Sequence, residues 1–568
     1  MASLVFGARA LRFAALTCLG ISLCVFAGCS GGASNPQPTS PLPDIQSFAA
    51  SSLNITAGQA IALLWSVTGA QTVEISGVTA TPQNSIVVAP AETTTYTLTA
   101  TNTFGAVAQS LTVTVQTGSA LGTATINAAN PGLQIPATFL GFSHEWTGGP
   151  QLMGQPGSTN PIYRQLVKNL LAYGAGPLIV RIGGNSTDTT GEPATGVVAP
   201  FEQLHQDIGA EFYLGVNLGS DNVQLATDQA QAYVTGMAGG GLEAIEIGNE
   251  PDLYHSNGDR PTTYTFANYF SDFATWRTAI LPLLPQGVKL MGPSWSSTSS
   301  LSNLPAFLTQ ESGNLSVVSQ HWYAGTQCNG KTNPADFLLQ ASSATSGPKA
   351  VASSVPLAHQ DSLPFRMGEM NSISCGGETG VSDTFASALW AADSMFEFAN
   401  DGVDGVNFHN GNGGGYALFQ FNIAGSGNAT TYSIESVRPE YYGLLFFQQA
   451  TANGARLLPV TLSTSANLKV WATVDKQGVV RVALLNKDES AEGDVVLTLP
   501  GYGSATLTRL RAPSYQATTG ITLAGQTFDT SVDGTPQGIA YGEPVSPSGG
   551  TYTVAMPITS AAILTIQP

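Results

Sequence analysis

The feature that most constrains this chain is the alternation of short apolar runs with helix-forming stretches between residues 137 and 450. Eight of the apolar runs have the length and composition of buried strands. The predicted strands are 138–142, 178–183, 211–216, 244–248, 288–292, 317–321, 365–368 and 405–408, and the predicted helices include 161–173, 225–238, 264–284 and 383–400. This alternation predicts a (β/α)8 barrel within residues 121–452, with its active site at the carboxyl ends of the strands.

Two further regions, residues 44–117 and 455–568, contain short alternating runs between Gly and Pro turns, as in antiparallel β-sandwiches. The runs are 60–67, 72–75, 85–88, 94–100 and 110–115 in the first region, and 468–473, 479–486, 494–499, 505–510 and 552–566 in the second. The first region resembles bacterial immunoglobulin-like modules, which leaves a spacer or a carbohydrate-binding role open. The second predicts a C-terminal β-sandwich packed on the barrel, with a strand contributed by residues 121–135.

The N-terminal 28 residues have the layout of a targeting segment and are excluded from the fold prediction. Arg9 and Arg12 precede an apolar run over residues 13–27, which leads through small residues to Cys29. This junction looks like a bacterial lipoprotein signal, which implies cleavage before Cys29 and acylation of its sulfur. A plain secretory signal is the alternative. Residues 29–43 then read as a Pro/Ser/Gly-rich tether. The sequence therefore predicts an exported protein, lipid-anchored to a bacterial membrane on its periplasmic or cell-surface side.

The charge balance excludes several classes of partner. Asp and Glu number 37 against 19 Lys and Arg, which gives a net charge of −18. Such a chain repels nucleic acid and anionic membrane surfaces, and it disfavours long sulfated polyanions as substrates. We therefore expect no nucleic-acid partner, and membrane contact only through the N-terminal lipid. The oligomeric state is not indicated.

The five cysteines divide by position. Cys18 and Cys24 lie in the targeting segment and Cys29 at its end, so Cys328 and Cys375 remain. These two follow predicted strands six and seven, which are neighbours in the barrel, and an exported protein meets an oxidising compartment. They are predicted to form a disulfide between two loops of the rim. The chain has no Cys/His set with zinc spacing, so no metal is predicted.

Two carboxylates stand out because each directly follows a barrel strand. Strand four runs into Asn249-Glu250-Pro251, and strand seven runs into Glu369. Hydrolysis of a glycosidic bond needs one proton donor and one nucleophile or base, and in retaining enzymes the two carboxyl groups are roughly 5–5.5 Å apart. Strands four and seven face each other across the barrel mouth, so this separation is expected. Asn249 is suited to bond a sugar hydroxyl beside the reacting carbon.

Five segments together resemble the heparanase-like β-glucuronidases, glycoside hydrolase family 79 of the large retaining barrel clan. They are FLGFSHE at 139–145, RIGGN at 181–185, GNEP at 248–251, GEMNS at 368–372 and RPEYYG at 438–443. The resemblance implies that Glu250 is the acid/base and Glu369 the nucleophile. It also implies a C-terminal β-sandwich, in agreement with the strand pattern.

Further rim residues are candidates for substrate contact. Glu145 and Asn185 are suited to bond sugar hydroxyls, as is His321 at the end of strand six, where Tyr323 is suited to donate to the nucleophile. Arg181 either holds Glu369 ionised or forms a purely structural ion pair. Trp146 and Trp295 offer flat faces for sugar rings or pack in the core.

The loop at 410–416 has the sequence NGNGGGY, which lacks the spacing and the following helix of a dinucleotide site, so no cofactor is predicted. Consecutive glycines let backbone N–H groups approach an anion closely. The resemblance implies that Gly415 and Tyr416 contact the carboxylate of a uronic acid in this way.

These features predict a retaining exo-β-glucuronidase that releases terminal β-glucuronic acid from oligo- or polysaccharides by double displacement. One alternative keeps the chemistry and changes the sugar to a neutral β-glycoside. Another is a non-catalytic, glycan-binding surface lipoprotein.

Overall fold

The computed structural model describes residues 42–50, 53–56, 61–78, 84–90, 92–116, 119–189 and 195–568. The predicted signal peptide, the lipidation site at Cys29 and all but the last two residues of the tether lie outside these ranges. Within them, no helix is both long enough and apolar enough to cross a bilayer.

The centre of the molecule is a closed barrel of eight parallel strands that are neighbours in chain order. The strands are Leu140–Glu145, Ile179–Gly183, Glu211–Val216, Leu242–Ile247, Lys289–Trp295, Leu315–Thr326, Phe365–Ser374 and Gly405–His409. Each predicted strand overlaps one of these, so the predicted (β/α)8 barrel is confirmed.

The helices cover the outside of the barrel and bury their apolar faces on it. They are Gly149–Met153, Pro161–Leu171, Asn185–Thr189, Thr195–Ile208, Val223–Gly236, Tyr254–Asn257, Phe266–Ile280, Leu304–Glu311, Ala341–Val351, Val355–Gln360, Phe385–Asn400 and Pro439–Ala450. Local sequence fixes where several begin: the Asn160 side chain accepts from the N–H groups of Ile162 and Tyr163, and Thr265 and Asn268 form a capping box. These caps set the lengths of the loops at the rim.

Strands six and seven extend beyond their predicted ends at residues 321 and 368. They continue to Thr326 and Ser374, and these two end residues are paired in the sheet. A two-stranded ribbon therefore stands above the rim, and a disulfide between Cys328 and Cys375, with Cα atoms 5.4 Å apart, joins its two strands. The prediction that strand seven ends before Glu369 was wrong, because Glu369 lies within the extended part of that strand.

The C-terminal region forms two sheets. One is antiparallel, and the other is mixed because Ala120–Ile126 pairs in parallel with Gly493–Thr498, so the prediction of a fully antiparallel sandwich was wrong at that pair. One contains Arg456–Leu458, Leu468–Val474, Val480–Asn486, Ser560–Ile566, Ala505–Arg511 and Thr522–Leu523, with Glu543–Val545 paired to Ala505–Arg511; the other contains Val460–Thr464, Ala120–Ile126, Gly493–Thr498 and Thr551–Met556. The segment before the barrel thus contributes a strand to this region. The single strand predicted over 552–566 is two strands, because a turn at 557–559 carries the chain from one sheet to the other.

The C-terminal sheets pack against barrel helices and share part of the barrel's core. The indole ring of Trp471 stacks on Phe396 with ring centroids 5.5 Å apart, and Lys487 forms a fully buried ion pair with Asp393 of the same helix. Because a buried ion pair is costly to break, these contacts hold the helix that follows strand seven in a fixed position.

The N-terminal region has its own small core around Leu63, Trp65 and Leu98. Its strands form one sheet of three, Asp44–Ala50, Ile61–Thr68 and Ser85–Val88, and one of four, Asn54–Thr56, Gly105–Gln116, Thr94–Asn102 and Thr72–Ile75. The remaining short elements belong to the barrel region. They are the ladders Gly154–Gln155 with Ser158–Thr159 and Phe419–Ala424 with Thr431–Val437, and 3-10 turns at Pro251–Leu253, Leu281–Leu283, Thr298–Asn303, Ser312–Asn314, Cys328–Gly330, Phe337–Leu339 and Gly427–Ala429.

Candidate active site

A polar cleft of about 940 Å³ opens at the carboxyl ends of the barrel strands. Six of the residues predicted from the sequence line it together: Glu145, Asn185, Glu250, Tyr323, Glu369 and Tyr416. They come from strands or loops spread around the barrel, so the closed fold is what brings them to one place. Asn249, His321 and Arg181 lie directly beneath them and are buried.

Glu250 is held at the rim by an unusual backbone conformation. Its φ of 49° and ψ of 52° are left-handed, which is uncommon for a residue with a side chain. The N–H of Glu250 donates to the Ser294 carbonyl at 3.1 Å, and the N–H of Leu253 donates to the Glu250 carbonyl at 2.8 Å. These two bonds stabilise the turn, which directs the carboxylate of Glu250 into the cleft.

Glu369 is surrounded by positive charges and donors. Its carboxylate accepts from Nη1 of Arg181 at 2.6 Å and from the Tyr323 hydroxyl at 2.7 Å, and Nδ1 of His409 lies 3.3 Å away. Burial by itself raises the pKa of Glu369, but His409, His321 and Arg181 outweigh it and hold the pKa well below the ordinary value. Glu369 is therefore an ionised, buried carboxylate.

The two carboxylates lie close to each other. One oxygen of Glu250, one of Glu369 and a ring nitrogen of His321 are all within 4.8 Å of one another. Nδ1 of His321 is 3.1 Å from Oε1 of Glu250. Carboxyl groups roughly 5–5.5 Å apart suit direct attack by one of them on a sugar carbon, whereas a larger gap leaves room for a water.

Two carboxylates and an imidazole are also a plausible set of metal ligands, so the charge of His321 matters. Burial and the charge of Arg181 lower the pKa of His321, but the carboxylates of Glu246, Glu250 and Glu369 raise it to about 9. The ring is then protonated at neutral pH and pairs with the carboxylates around it, the nearest being Glu250.

Glu246 completes the charge balance and was not predicted from the sequence. It lies within strand four, is fully buried, and accepts from Nε of Arg181 at 2.7 Å and from the Ser294 hydroxyl at 2.5 Å. The signal in the sequence was a Glu inside the otherwise apolar predicted strand 244–248. A Glu side chain is buried at such a position only when its charge is paired.

Asn249 is fixed on both sides by hydrogen bonds. Its side-chain oxygen accepts from Nη2 of Arg181 at 2.8 Å, and its amide group donates to Asn185 at 2.9 Å. Its backbone N–H donates to Asp188 at 2.9 Å, and the Tyr254 hydroxyl donates to the same oxygen at 2.7 Å. Asp188, a residue missed in the sequence, therefore anchors the segment that carries Glu250.

The opposite side of the cleft holds Glu145 and His409. Glu145 accepts from the N–H of Ser186 at 2.9 Å and from its hydroxyl at 2.5 Å, which leaves part of the carboxylate facing the cleft. His409 ends strand eight, and the positional rule used for the other strands would have found it. Burial lowers the pKa of His409, but Glu369 and Glu145 outweigh it and raise the pKa.

The glycine-rich loop is bonded differently from the prediction. The N–H of Gly415 donates to the Gly376 carbonyl at 2.6 Å, and Gly415 is not among the residues that line the cleft. A Cβ on Gly415 would lie 2.6–2.9 Å from the backbone of residues 377 and 378, so this glycine permits contact between two loops. The prediction that Gly415 donates to a substrate carboxylate was wrong for this conformation, whereas Tyr416 does line the cleft.

The two candidate tryptophans both pack in the core. The indole N–H of Trp146 donates to the Tyr233 hydroxyl at 2.6 Å, and Trp295 is fully buried against Phe266 and Phe307. Neither offers a face to the cleft. Trp322, within the extended strand six, belongs to a residue stretch that borders the cleft, but its ring packs on Trp390 and Phe398 of a barrel helix.

A (β/α)8 barrel with an ionised carboxylate and a second carboxyl group across one cleft defines a glycoside hydrolase. Comparison with known proteins agrees: residues 470–563 match the glycosyl hydrolase family 79 C-terminal beta domain. A protein of Aspergillus niger named Beta-glucuronidase is 26% identical over 524 residues, which cover 79% of this chain and 95% of that protein. A Beta-glucuronidase of Neurospora crassa is 21% identical over 495 residues, 72% of this chain and 88% of that protein. The resemblance to family 79 is confirmed.

Solved structures share the architecture. A 4-O-alpha-L-rhamnosyl-beta-D-glucuronidase from Fusarium oxysporum matches with a TM-score of 0.66 at 23% identity, covering 78% of this chain and all of that one. An arabinofuranosidase from Xanthomonas axonopodis pv. citri, of glycoside hydrolase family 51, matches with a TM-score of 0.59 at 16% identity, covering 79% of this chain and all of that one. These likenesses establish the fold of the barrel with its β-domain.

Proposed function

We propose that this protein is a retaining exo-β-glucuronidase that removes terminal β-glucuronic acid from oligo- or polysaccharides. The observation that carries the proposal is the pair Glu250 and Glu369, within 4.8 Å of each other and in unlike surroundings. The two relatives named Beta-glucuronidase match most of the chain and support the choice of sugar.

In the proposed first step, the ionised carboxylate of Glu369 attacks the anomeric carbon while Glu250 gives its proton to the leaving oxygen. The glycosidic bond breaks and a covalent glucuronyl ester forms on Glu369. In the second step Glu250 takes a proton from water, whose oxygen attacks the same carbon and releases Glu369. Tyr323 and Arg181 hold the nucleophile in position through both steps, and no cofactor takes part.

The sugar contacts are proposed from the side chains at the rim. Glu145 and Asn185 face the cleft and are suited to bond hydroxyl groups, while Asn249 and His321 support the reacting end from beneath. Among the described residues that line the cleft there is no Lys or Arg, so neither of these cations would hold a uronic carboxylate. We assign Tyr416 as one donor to that carboxylate.

A panel of 4-nitrophenyl glycosides tests the choice of sugar. We expect nitrophenol release from the β-glucuronide, and a rate at least a hundredfold lower from the β-glucoside and the β-xyloside. The proposed cleft holds the uronic carboxylate, which the two neutral sugars lack. A preference for a neutral glycoside would refute the glucuronide assignment. Only free glucuronate should leave an oligosaccharide, and longer products would refute exo action. A 4-O-capped glucuronide, the substrate named for the Fusarium oxysporum protein, belongs in the same panel.

Azide separates the roles of the two carboxylates. With a dinitrophenyl β-glucuronide, Glu369→Ala plus azide should give the α-glucuronyl azide, because one displacement inverts the carbon. Glu250→Ala plus azide should give the β-azide, because two displacements restore the configuration. The same anomer from both variants would contradict the assignment. Wild-type rates in Glu369→Ala would refute the nucleophile assignment, and failure of the wild type to hydrolyse any glycoside of the panel would support a non-catalytic glycan-binding protein.

The N-terminal part is proposed to display the enzyme outside the cell. Its two small sheets around one core are consistent with an immunoglobulin-like spacer. Lipidation of Cys29 would hold the chain to a bacterial membrane on the periplasmic or cell-surface side. Expression in a bacterial host and detergent-phase partition test this: the wild type should enter the detergent phase, and Cys29→Ser should stay in the aqueous phase. Equal partition of both would contradict lipid anchoring.

A further inference from the structure

The cleft extends well beyond the two carboxylates on the side of Glu250. The general acid protonates the leaving oxygen, so the leaving group must emerge on this side. Leu253 and Asn257, which follow Glu250 in the chain, line the cleft there, together with Ser296–Thr298 from the loop after strand five. Two loops, from neighbouring strands, thus form the wall that a leaving group meets.

Asp252 joins these two loops. Its Oδ1 accepts from the backbone N–H of Ser296 at 2.9 Å, and its Oδ2 accepts from the backbone N–H of Ser297 at 3.0 Å and from the Ser300 hydroxyl at 2.7 Å. The acid-bearing loop and the serine loop are therefore one unit. Because the bonds to Ser296 and Ser297 use backbone N–H groups, the Ser296 hydroxyl takes no part in this clamp.

The side chains that line the wall are uncharged. Asn257, Ser296 and Thr298 carry amide and hydroxyl groups, and the partly buried Leu253 adds an apolar side chain. Thr326 and Asn329, from the strand-six ribbon and its loop, are further uncharged residues of the cleft. A sulfate or carboxylate placed here would find no Lys or Arg among the described lining residues and would lie near the ionised Glu369.

We propose that the wall formed by Leu253, Asn257 and Ser296–Thr298 is the binding site for the leaving group, and that it takes an uncharged, hydroxyl-rich sugar. This inference rests on the proposed glucuronidase function and adds the identity of the unit to which the glucuronic acid is attached. A neutral sugar offers hydroxyls to the amide and hydroxyl groups and a C–H face to Leu253.

The test compares three substrates: β-glucuronic acid linked to a neutral hexose, the same disaccharide with a sulfate on the hexose, and 4-nitrophenyl β-glucuronide. The wild type should hydrolyse the neutral disaccharide with at least tenfold higher kcat/KM than the sulfated one. In the double variant Ser296→Ala with Thr298→Val, kcat/KM on the neutral disaccharide should fall roughly tenfold further than on the nitrophenyl substrate, since two hydrogen bonds are lost. The matched control is Ser302→Ala, an exposed hydroxyl of the same segment that contacts only the Ser299 carbonyl, and it should lose no activity on either substrate.

The outcomes are distinguishable. Equal rates on the neutral and sulfated disaccharides, measured on the wild type alone, would overturn the inference even if the variants did not fold. Equal losses on the disaccharide and the nitrophenyl substrate in the double variant would also overturn it. Failure of the wild type to hydrolyse nitrophenyl β-glucuronide, with activity on another glycoside, would instead overturn the glucuronidase assignment on which the inference rests.

Discussion

The hydroxyl of Tyr323 offers the sharpest test of how Glu369 is tuned. It donates to Oε1 of Glu369 at 2.7 Å, inside a buried site. Tyr323→Phe removes this oxygen and leaves the ring, so the packing of Tyr323 against Tyr416, with ring centroids 6.1 Å apart, is retained. The change therefore deletes one donor from an ionised carboxylate with little disturbance of shape.

The magnitude follows from the charge of the acceptor. A hydrogen bond to a charged group contributes about 1.5–3 kcal/mol, and one pKa unit corresponds to about 1.4 kcal/mol. Loss of the donor disfavours the ionised form, so the pKa of Glu369, which is held well below its ordinary value, should rise by about 1–2 units. Since the ionised form is the proposed nucleophile, the acid limb of the kcat/KM profile should move to higher pH by this amount.

The same donor acts in the second chemical step. Glu369 departs there as a carboxylate, and the Tyr323 hydroxyl stabilises the charge that returns to it. We expect kcat to fall by a factor of roughly 10–150, which is the rate equivalent of the lost hydrogen bond. The covalent intermediate should then accumulate and give a burst of nitrophenol with an activated β-glucuronide.

Steady-state rates from pH 3 to 8 and stopped-flow bursts measure both effects. Tyr416→Phe is the comparison, because that hydroxyl bonds Tyr323 and reaches Glu369 only through it: it should raise KM and move the acid limb much less than Tyr323→Phe does. An unmoved acid limb in Tyr323→Phe, or a shift of equal size in Tyr416→Phe, would contradict the assigned role of the Tyr323 hydroxyl.

Three further changes test the buried charges and the disulfide. Arg181→Met leaves the carboxylates it pairs without their cation, so the free energy of unfolding should fall by about 3–5 kcal/mol in chemical denaturation; a loss under 1 kcal/mol would contradict this. Burial raises the pKa of Glu440 well above its ordinary value of 4.5. As the pH rises past 4.5, the unfolded chain therefore releases this proton while the folded chain still holds it, and the free energy of unfolding of the wild type falls. Glu440→Gln has no such proton, so its free energy of unfolding should gain on that of the wild type by about 1.4 kcal/mol per pH unit between pH 4.5 and the raised pKa of Glu440; a constant difference in denaturant unfolding across this range would contradict this. Removing the disulfide with Cys328→Ser and Cys375→Ser should lower the free energy of unfolding by about 2–4 kcal/mol, and reduction should change nothing further in that variant.

The barrel could be predicted because its signal is local. Each strand is a short apolar run bounded by turn residues, and the alternation with helices permits few topologies. The ends of the strands were harder to predict. Strands six and seven continue to Thr326 and Ser374 because they pair with each other above the rim. That pairing depends on two segments distant in sequence, so neither one shows it alone.

The site could be predicted at its surface and only in part in its supporting layer. Glu250 and Glu369 were found because they stand near strand ends, and the family resemblance implied their roles. His409 was missed although it ends strand eight. Glu246 and Asp188 were missed, since a sequence does not show which side of a strand faces the barrel interior or which loop covers a given group. The Gly415 prediction was wrong for the same kind of reason: the loop that occupies its N–H comes from residue 376.

Glu246 explains how the chain gives its two catalytic carboxylates unlike surroundings. Arg181 bridges Glu246 and Glu369, and His321 lies 3.9 Å from Glu246 and 3.1 Å from Glu250. Without the Glu246 charge, Arg181 and His321 would have only the carboxylates of the cleft as partners, and His321 would tend to lose its proton. With it, Arg181 can hold Glu369 ionised while His321 stays protonated. The buried Glu246 carboxylate thus balances the two cations from beneath, so that both can face the proposed catalytic pair.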